Sequence, residues 1–393
     1  MGRIPAEDFA DIEEELVANA DEYCEAVEEA GLLFEDPEFR TYLQELVDEM
    51  LVRERRSAGE VRVVLLDNPF GNASIFPNGT LHFHIGMASQ IENEAQLVAL
   101  LGHELTHFLN RHAVADRIYR ERAETQVKST RVMASLVLLP LGLSPLAFYD
   151  VSSKGMDGIL APQLAGFSQD QERESDRGGL LRMAALGYDP SHAAGFFEML
   201  MADVALTSSE LNRTEVEDPY YYASHPALEE RRDSMRAIAA ERDRTCREPA
   251  PDPLWACGVA AERVGVEAYR ARIARVGTRN AELDRKLGRR DRAVRTLERL
   301  LEYNEDDAEA WALLGEIRGG RGGRGASLGK AIEALERAVA IDDERASAYR
   351  ELGFLYSSDG RSAESDSAFR RFLELSPDAP DRSLIEKRLH GER

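Results

Sequence analysis

His103 and His107 stand four residues apart in "ALLGHELTHFLNRH" (99–112), with Glu104 directly after the first. Leu97, Leu100, Leu101 and Leu105 recur at helical spacing through the same stretch, so the pair lies inside a helix. Positions i and i+4 project from one helical face, where two neutral imidazoles can share one ion, and zinc suits such ligands. Glu104 sits one step round the helix, within reach of a water at the ion without occupying the ion. That is the place of a general base in metal-assisted hydrolysis. A surface helix that merely carries two histidines would show the same five letters, so the motif needs a third ligand.

The segment "QERESDRGG" (171–179) supplies the candidates. Glu172 and Asp176 are again i and i+4 on a helical face. Glu172 is the expected ligand, and Asp176, a turn further on, is expected to accept the outer N–H of a liganding histidine and so fix its tautomer. Glu174 is the rival ligand, pointing to another side of the same helix.

Other elements must bring these segments together. Residues 7–56 read as Glu-rich helices, and "EVRVVLLD" (60–67) as a buried strand. After turn signals at Asn68-Pro69 and Asn78-Gly79, "TLHFHI" (80–85) alternates in the manner of a strand with one exposed face, which puts His82 and His84 on the solvent side. His112 lies off the ligand face and reads as a satisfied helix histidine. The most apolar stretch, 132–151, is broken by Pro140, Gly142 and Pro145, which argues against a membrane span. It reads as a lid over the cleft or as a core helix, with peripheral membrane contact a further option. "PAPDPLW" (249–255) reads as a linker. Cys246 and Cys257 flank it, and one bridge or two free thiols fit equally.

Beyond the linker the chain repeats itself. "WALLG" (311–315) is echoed by "YRELG" (349–353), Gly288 and Gly360 fall at matching turns, and Trp311 follows its earlier counterpart Gly277 by 34 residues. This period resembles tetratricopeptide repeats, helix-turn-helix units that stack into a surface for protein or peptide partners. Packing against the preceding domain is the other use of so short an array.

Four ordered motifs together resemble peptidase family M48, the zinc metallopeptidases that include CAAX prenyl proteases, HtpX and BepA. They are "NASIFPNG" (72–79), HELTH running on to His112, Glu172-x-x-x-Asp176, and "SHPALEERR" (224–232). Repeats behind such a domain most resemble the BepA branch. The chain departs from the family pattern at Gln169 and Ser175, neither of them a ligand position. The resemblance implies a mainly α (α+β) fold: a helical zincin-type domain with a small β-sheet, then an α-solenoid. The expected divisions are 1–245 (N-terminal helices 1–56, catalytic core 57–245), a linker 246–260 and repeats 261–393.

The resemblance further implies one zinc per chain, endopeptidase chemistry on unfolded or misassembled proteins, and a periplasmic or cell-envelope location, with the cytoplasm as the alternative. Substrate is expected to lie extended along the strand near 80–85, with Asn72 and Ala73 at its end. His225 would stabilise an oxyanion, or close the fourth zinc position and hold the enzyme latent, or simply pack its loop. Arg231 would pair with acidic groups near the site. A chaperone-like scaffold with a latent or structural zinc is the alternative function.

Composition bounds these readings. A hydrophobic fraction of 43% with 31% charged residues describes a globular protein, and a net charge of -23 excludes nucleic acid as a natural partner. The first residues, "MGRIPAEDFADIEEEL", lack the apolar core of a secretory signal.

Overall fold

The computed structural model describes residues 6–124, 167–210, 228–246, 257, 260, 262–320 and 326–390. The 132–151 stretch and His225 lie outside them. Two compact units divide the chain, Met1–Ile273 and Ala274–Arg393.

The first unit opens with α1 (Ala6–Glu29) and α2 (Pro37–Arg53). Asp36 caps α2 by accepting the Phe39 N–H at 3.0 Å, and Pro37 follows in the first turn, where its missing N–H costs nothing. Strands β1 (Arg62–Leu66), β2 (Ala73–Ile75) and β3 (Thr80–His84) form one sheet in the order β1-β3-β2. β3 runs parallel to β1 and antiparallel to β2. Next come α3 (Ile85–Gln90), α4 (Glu94–Leu109), α5 (His112–Glu124), α6 (Gln169–Ala185), α7 (His192–Glu210), α8 (Leu228–Thr245) and the short α9 (Val266–Arg270).

β3 corrects two expectations. It is the central strand and buried on both faces, so His82 and His84 do not face solvent. The alternation in "TLHFHI" comes from polar side chains whose partners are supplied by distant segments. His82 packs between Tyr23 and Phe76, with Nε2 3.7 Å from Cys24 Sγ, and His84 Nδ1 lies 3.2 Å from the Phe70 carbonyl. Since both edges of β3 are already paired, substrate cannot add along 80–85. The edge strands are β1 and β2, and Phe34 and Gln44 already bond the outer side of β1 at Leu65 and Val63, which leaves β2.

α4 is buried along its whole length from Glu94 to His107. It packs on α6 so closely that glycine is required at the crossing. A Cβ on Gly179 would stand 2.7 Å from the Ala99 carbonyl oxygen, and one on Gly102 would stand 3.0 Å from Gly179 Cα. Arg182 ties the pair, donating to the Gly102 carbonyl at 3.2 Å and to Thr106 Oγ1 at 2.6 Å.

The start of α4 is held by residues 262–273, which the sequence pattern places in the repeat domain. Ala95 N–H donates to the Val264 carbonyl at 3.0 Å, and Tyr269, fully buried, donates to the Ala88 carbonyl at 2.6 Å. The Glu94 carboxylate accepts from Tyr42 at 2.6 Å and pairs with Tyr188 and Arg263. The segment therefore belongs to the first unit. The second compact unit runs from Ala274 to Arg393. Cys246 and Cys257 form a disulfide, with Cα atoms 5.1 Å apart.

The second unit is a run of helix pairs: α10 (Ala274–Lys286) with α11 (Arg290–Leu301), α12 (Ala308–Gly319) with α13 (Ala326–Ile341), and α14 (Ala346–Ser358) with α15 (Ser362–Leu375), followed by α16 (Arg382–Leu389). Small residues on each first helix receive large ones from the second: a Cβ on Gly315 would stand 2.5 Å from Leu335, and one on Gly353 equally close to Phe369. Gly288 and Gly360, the turn glycines of the repeat pattern, have φ of 81° and 80°.

Candidate metal centre

α4 presents His103 and His107, and α6 presents Glu172. Their ligand atoms all lie within 4.8 Å of one another, and all three side chains are buried. The two Nε2 atoms are 3.0 Å apart, and the Glu172 oxygens stand 3.7 Å from His103 Nε2 and 3.6 Å from His107 Nε2. Ligands about 2.0–2.1 Å from a tetrahedral ion stand about 3.3 Å from each other. The triad fits zinc without rearrangement of the fold.

The outer nitrogens decide the tautomers. His103 Nδ1 lies 3.0 Å from Asp176 Oδ1, so its proton sits there and its Nε2 lone pair turns inward. His107 Nδ1 lies 3.0 Å from His112 Nδ1, and His112 Nε2 lies 3.3 Å from Glu174 Oε2. With the His107 Nε2 lone pair toward the ion, its Nδ1–H donates to His112, whose own N–H donates to Glu174. Glu174, the rival ligand, is thus occupied elsewhere. Spacing alone hides the role of His112, because five residues is not a helical same-face interval. Arg111 is the reason it reaches His107, since its φ of 55° breaks the helix between α4 and α5 and folds the chain back. The sequence signal for this is the histidine's place just past an Asn-Arg stop.

Arg231, from α8, grips α6 from the other side. It donates to both oxygens of Asp176, at 2.6 and 2.9 Å, and its Nη1 lies 3.0 Å from Glu172 Oε2. Its guanidinium also stacks 4.7 Å above the Phe197 ring. Burial alone would push the Asp176 carboxyl up, but Arg231 and His103 outweigh it and hold the group well below the usual carboxylate range. Burial pushes the His103 imidazole down, toward the neutral form that a metal requires.

Glu104 points to the sheet side of α4. Burial, then the charge of Glu172, push its carboxyl well above the ordinary range, against a backbone hydrogen bond from Ile75. That bond joins the base to the sheet edge. Phe76 N–H donates to the Thr80 carbonyl at 2.9 Å and His84 N–H to the Asn72 carbonyl at 3.0 Å. Residues 72, 74 and 76 therefore turn their backbone groups to β3, and Ala73 and Ile75 turn theirs away, toward α4. Asn72 Oδ1, at the head of that edge, is buried without a hydrogen-bond partner among the described residues.

Comparison with known proteins matches the description "Peptidase family M48" to residues 37–239, just over half of the chain. The chain belongs to peptidase family M48. A tetratricopeptide repeat model also matches residues 346–379. Among curated relatives in the family, the beta-barrel assembly-enhancing protease of Yersinia pestis is 24% identical over 214 residues, 51% of this chain and 42% of that one. The Escherichia coli K12 protein of the same name is 25% identical over 54% of this chain and 41% of its own. Metalloendopeptidase OMA1 of Danio rerio is 30% identical over 96 residues, 23% of this chain and 20% of that protein. The chain thus spans about two-fifths of the length of the first two. Among the described residues no helix is long and apolar enough to cross a membrane.

Proposed function

We propose that this M48 chain is a zinc-dependent endopeptidase that cleaves extended, unfolded or misassembled polypeptides in a bacterial cell envelope, its repeats holding client or partner proteins. One observation carries the reading: a buried His-His-Glu triad beside a carboxylate that is hydrogen-bonded to the outer edge of the sheet. A structural zinc site has no use for that carboxylate. A zinc ion bound by His103, His107 and Glu172 supplies a Lewis acid for peptide hydrolysis.

The chain's own residues do the rest. Substrate adds as a strand along Ala73 and Ile75, with the Ala73 N–H and C=O and the Ile75 C=O as its partners while the Ile75 N–H holds Glu104, and Asn72 Oδ1 accepts one further N–H. Paired there, a scissile bond comes beside Glu104. Glu104 takes the proton of the attacking water and passes it to the leaving amine. Asp176 and Arg231 keep His103 and Glu172 in place, and His112 with Glu174 does the same for His107. The Cys246–Cys257 disulfide supports an oxidising compartment.

Casein cleavage and zinc content, measured together, test this. Glu104→Gln is expected to keep its zinc and lose about 10²–10⁴-fold in turnover. Glu172→Ala loses the zinc and Glu174→Ala retains it. Equal turnover in the wild type and Glu104→Gln overturns the reading. Faster turnover in His225→Ala reveals a latch.

A further inference from the structure

A cavity of about 520 Å³ opens beside the metal triad on the side away from Glu94. Ile75, Phe76 and Pro77 form one wall, continuing the edge of β2 beyond the residue that bonds Glu104. Phe108, Leu109 and Val114 form the opposite wall, and His107 with Phe167 forms the end nearest the site. The Phe167 ring stacks on His107 with centroids 3.9 Å apart, so the apolar wall runs directly up to a metal ligand. Val114 is fixed from behind by Leu16 of α1 and Ile118 of α5.

The rim carries four charges, but they cancel in pairs. Arg111 Nε lies 2.9 Å from Glu13 Oε1, and Arg56 Nε donates to Glu60 Oε2 at 3.0 Å. Neither pair leaves a surplus charge to attract a charged side chain. Ile75 of the β2 edge, with Phe76 and Pro77 after it, lines this cavity, so a strand added along Ala73 and Ile75 and continued past Ile75 runs along its wall and turns alternate side chains to either face.

Resting on the peptide-hydrolysing reading of the site, we propose that this cavity is a side-chain pocket that selects a large apolar or aromatic residue close to the bond to be cleaved. Its volume lies within the range of small-ligand pockets, ample for a phenyl or indole ring. Ala113 also lines it and is half-buried, so a larger side chain at that position fills the pocket without removing a core contact.

The test uses the full zinc-loaded chain carrying Glu104→Gln and fluorescent, alanine-rich decapeptides in which one Phe is walked through every position. Anisotropy is expected to show binding tightened about 10–100-fold when Phe occupies one register. Ala113→Trp is expected to bring that peptide back to the level of the all-alanine host, and Ala113→Gly to leave the preference intact. Equal affinity at all Phe positions, no binding by any peptide, or a preference that survives Ala113→Trp overturns the pocket. Should Ala113→Trp not fold, Ala113→Leu takes its place, checked for zinc content and melting temperature: loss of the preference supports the pocket and its survival overturns it. Cleavage of the same peptides by the wild type reports separately on hydrolysis. Cleavage without preference removes the pocket alone, and preference without cleavage removes the peptidase reading alone.

Discussion

Each histidine of the candidate triad is steadied by a carboxylate, one directly and one through a second histidine. His103 meets Asp176, and His107 reaches Glu174 through His112. Removal of such outer partners lowers metal affinity about 10–100-fold in comparable sites. His112→Ala should therefore weaken zinc by that factor in a chelator competition, with Glu174→Gln giving a smaller loss, because Glu174 is exposed and acts at one remove. Unchanged affinity in His112→Ala would mean that the His107 ring is oriented by packing on Phe167 alone. The buried histidines of β3 make a different prediction. Burial first, then His84 and Arg62, push His82 down to about 3, against 6.5 in a free chain. As pH falls below 6.5 the unfolded chain takes up a proton that the folded chain refuses until about pH 3, so stability is lost across that interval. Between pH 7 and 4.5 the wild type should lose about 2–3 kcal/mol more than His82→Phe in urea unfolding. A phenyl ring in that slot keeps the contacts to Tyr23 and Phe76. Parallel pH profiles for the two chains would show that His82 is hydrated in the folded state.

At the scale of elements, the His-His-Glu triad comes together because α4 and α6 touch backbone to backbone. Ala99, Gly102, Gly178 and Gly179 form the contact, and Arg182 bolts it. Gly179→Ala forces a methyl into the Ala99 carbonyl, which the helices relieve only by separating. The expected cost is roughly 1–3 kcal/mol in denaturant unfolding, and weaker zinc binding, because the ligands sit on both helices. Full zinc affinity at reduced stability would mean that the helices part at their far ends only. The two ligand segments are readable because i, i+4 spacing is a local property of a helix. β3 misleads for the opposite reason. Its pattern is that of a half-exposed strand, but the cover on its second face comes from α1, where Tyr23 and Cys24 sit nearly sixty residues away from His82. The segment 262–273 falls among the repeats by its position in the chain, yet its place is fixed by Glu94 and Ala95 at the head of α4, a contact that local sequence does not show. The repeats are legible in outline, since the 34-residue step between Gly277 and Trp311 is written in the chain itself.

For the whole molecule, the disulfide is where the first unit closes on itself. Cys246 follows directly after α8, whose first turn carries Arg231, and Cys257 precedes the segment that seats on α4. The helix that carries Arg231 and the segment that holds the head of α4 are thus joined through one covalent bond. With a sequence separation of 11, the bridge removes about 3 kcal/mol of loop entropy from the unfolded chain. Both cysteines lie within Met1–Ile273, so reduction should weaken that unit and leave the repeats as they were. The two tryptophans make the distinction measurable, because Trp255 lies between the bridged cysteines and Trp311 lies in α12. In a Trp255→Phe chain the fluorescence of Trp311 follows the repeats alone, and far-ultraviolet dichroism follows both units. Dithiothreitol, or paired Cys246→Ser and Cys257→Ser, should move the dichroism transition of the first unit to lower urea by an amount worth about 2–3 kcal/mol. The Trp311 transition should stay where it is. A matching shift at Trp311 would show that the units unfold as one, and the disulfide would then stabilise the repeats as well as the first unit.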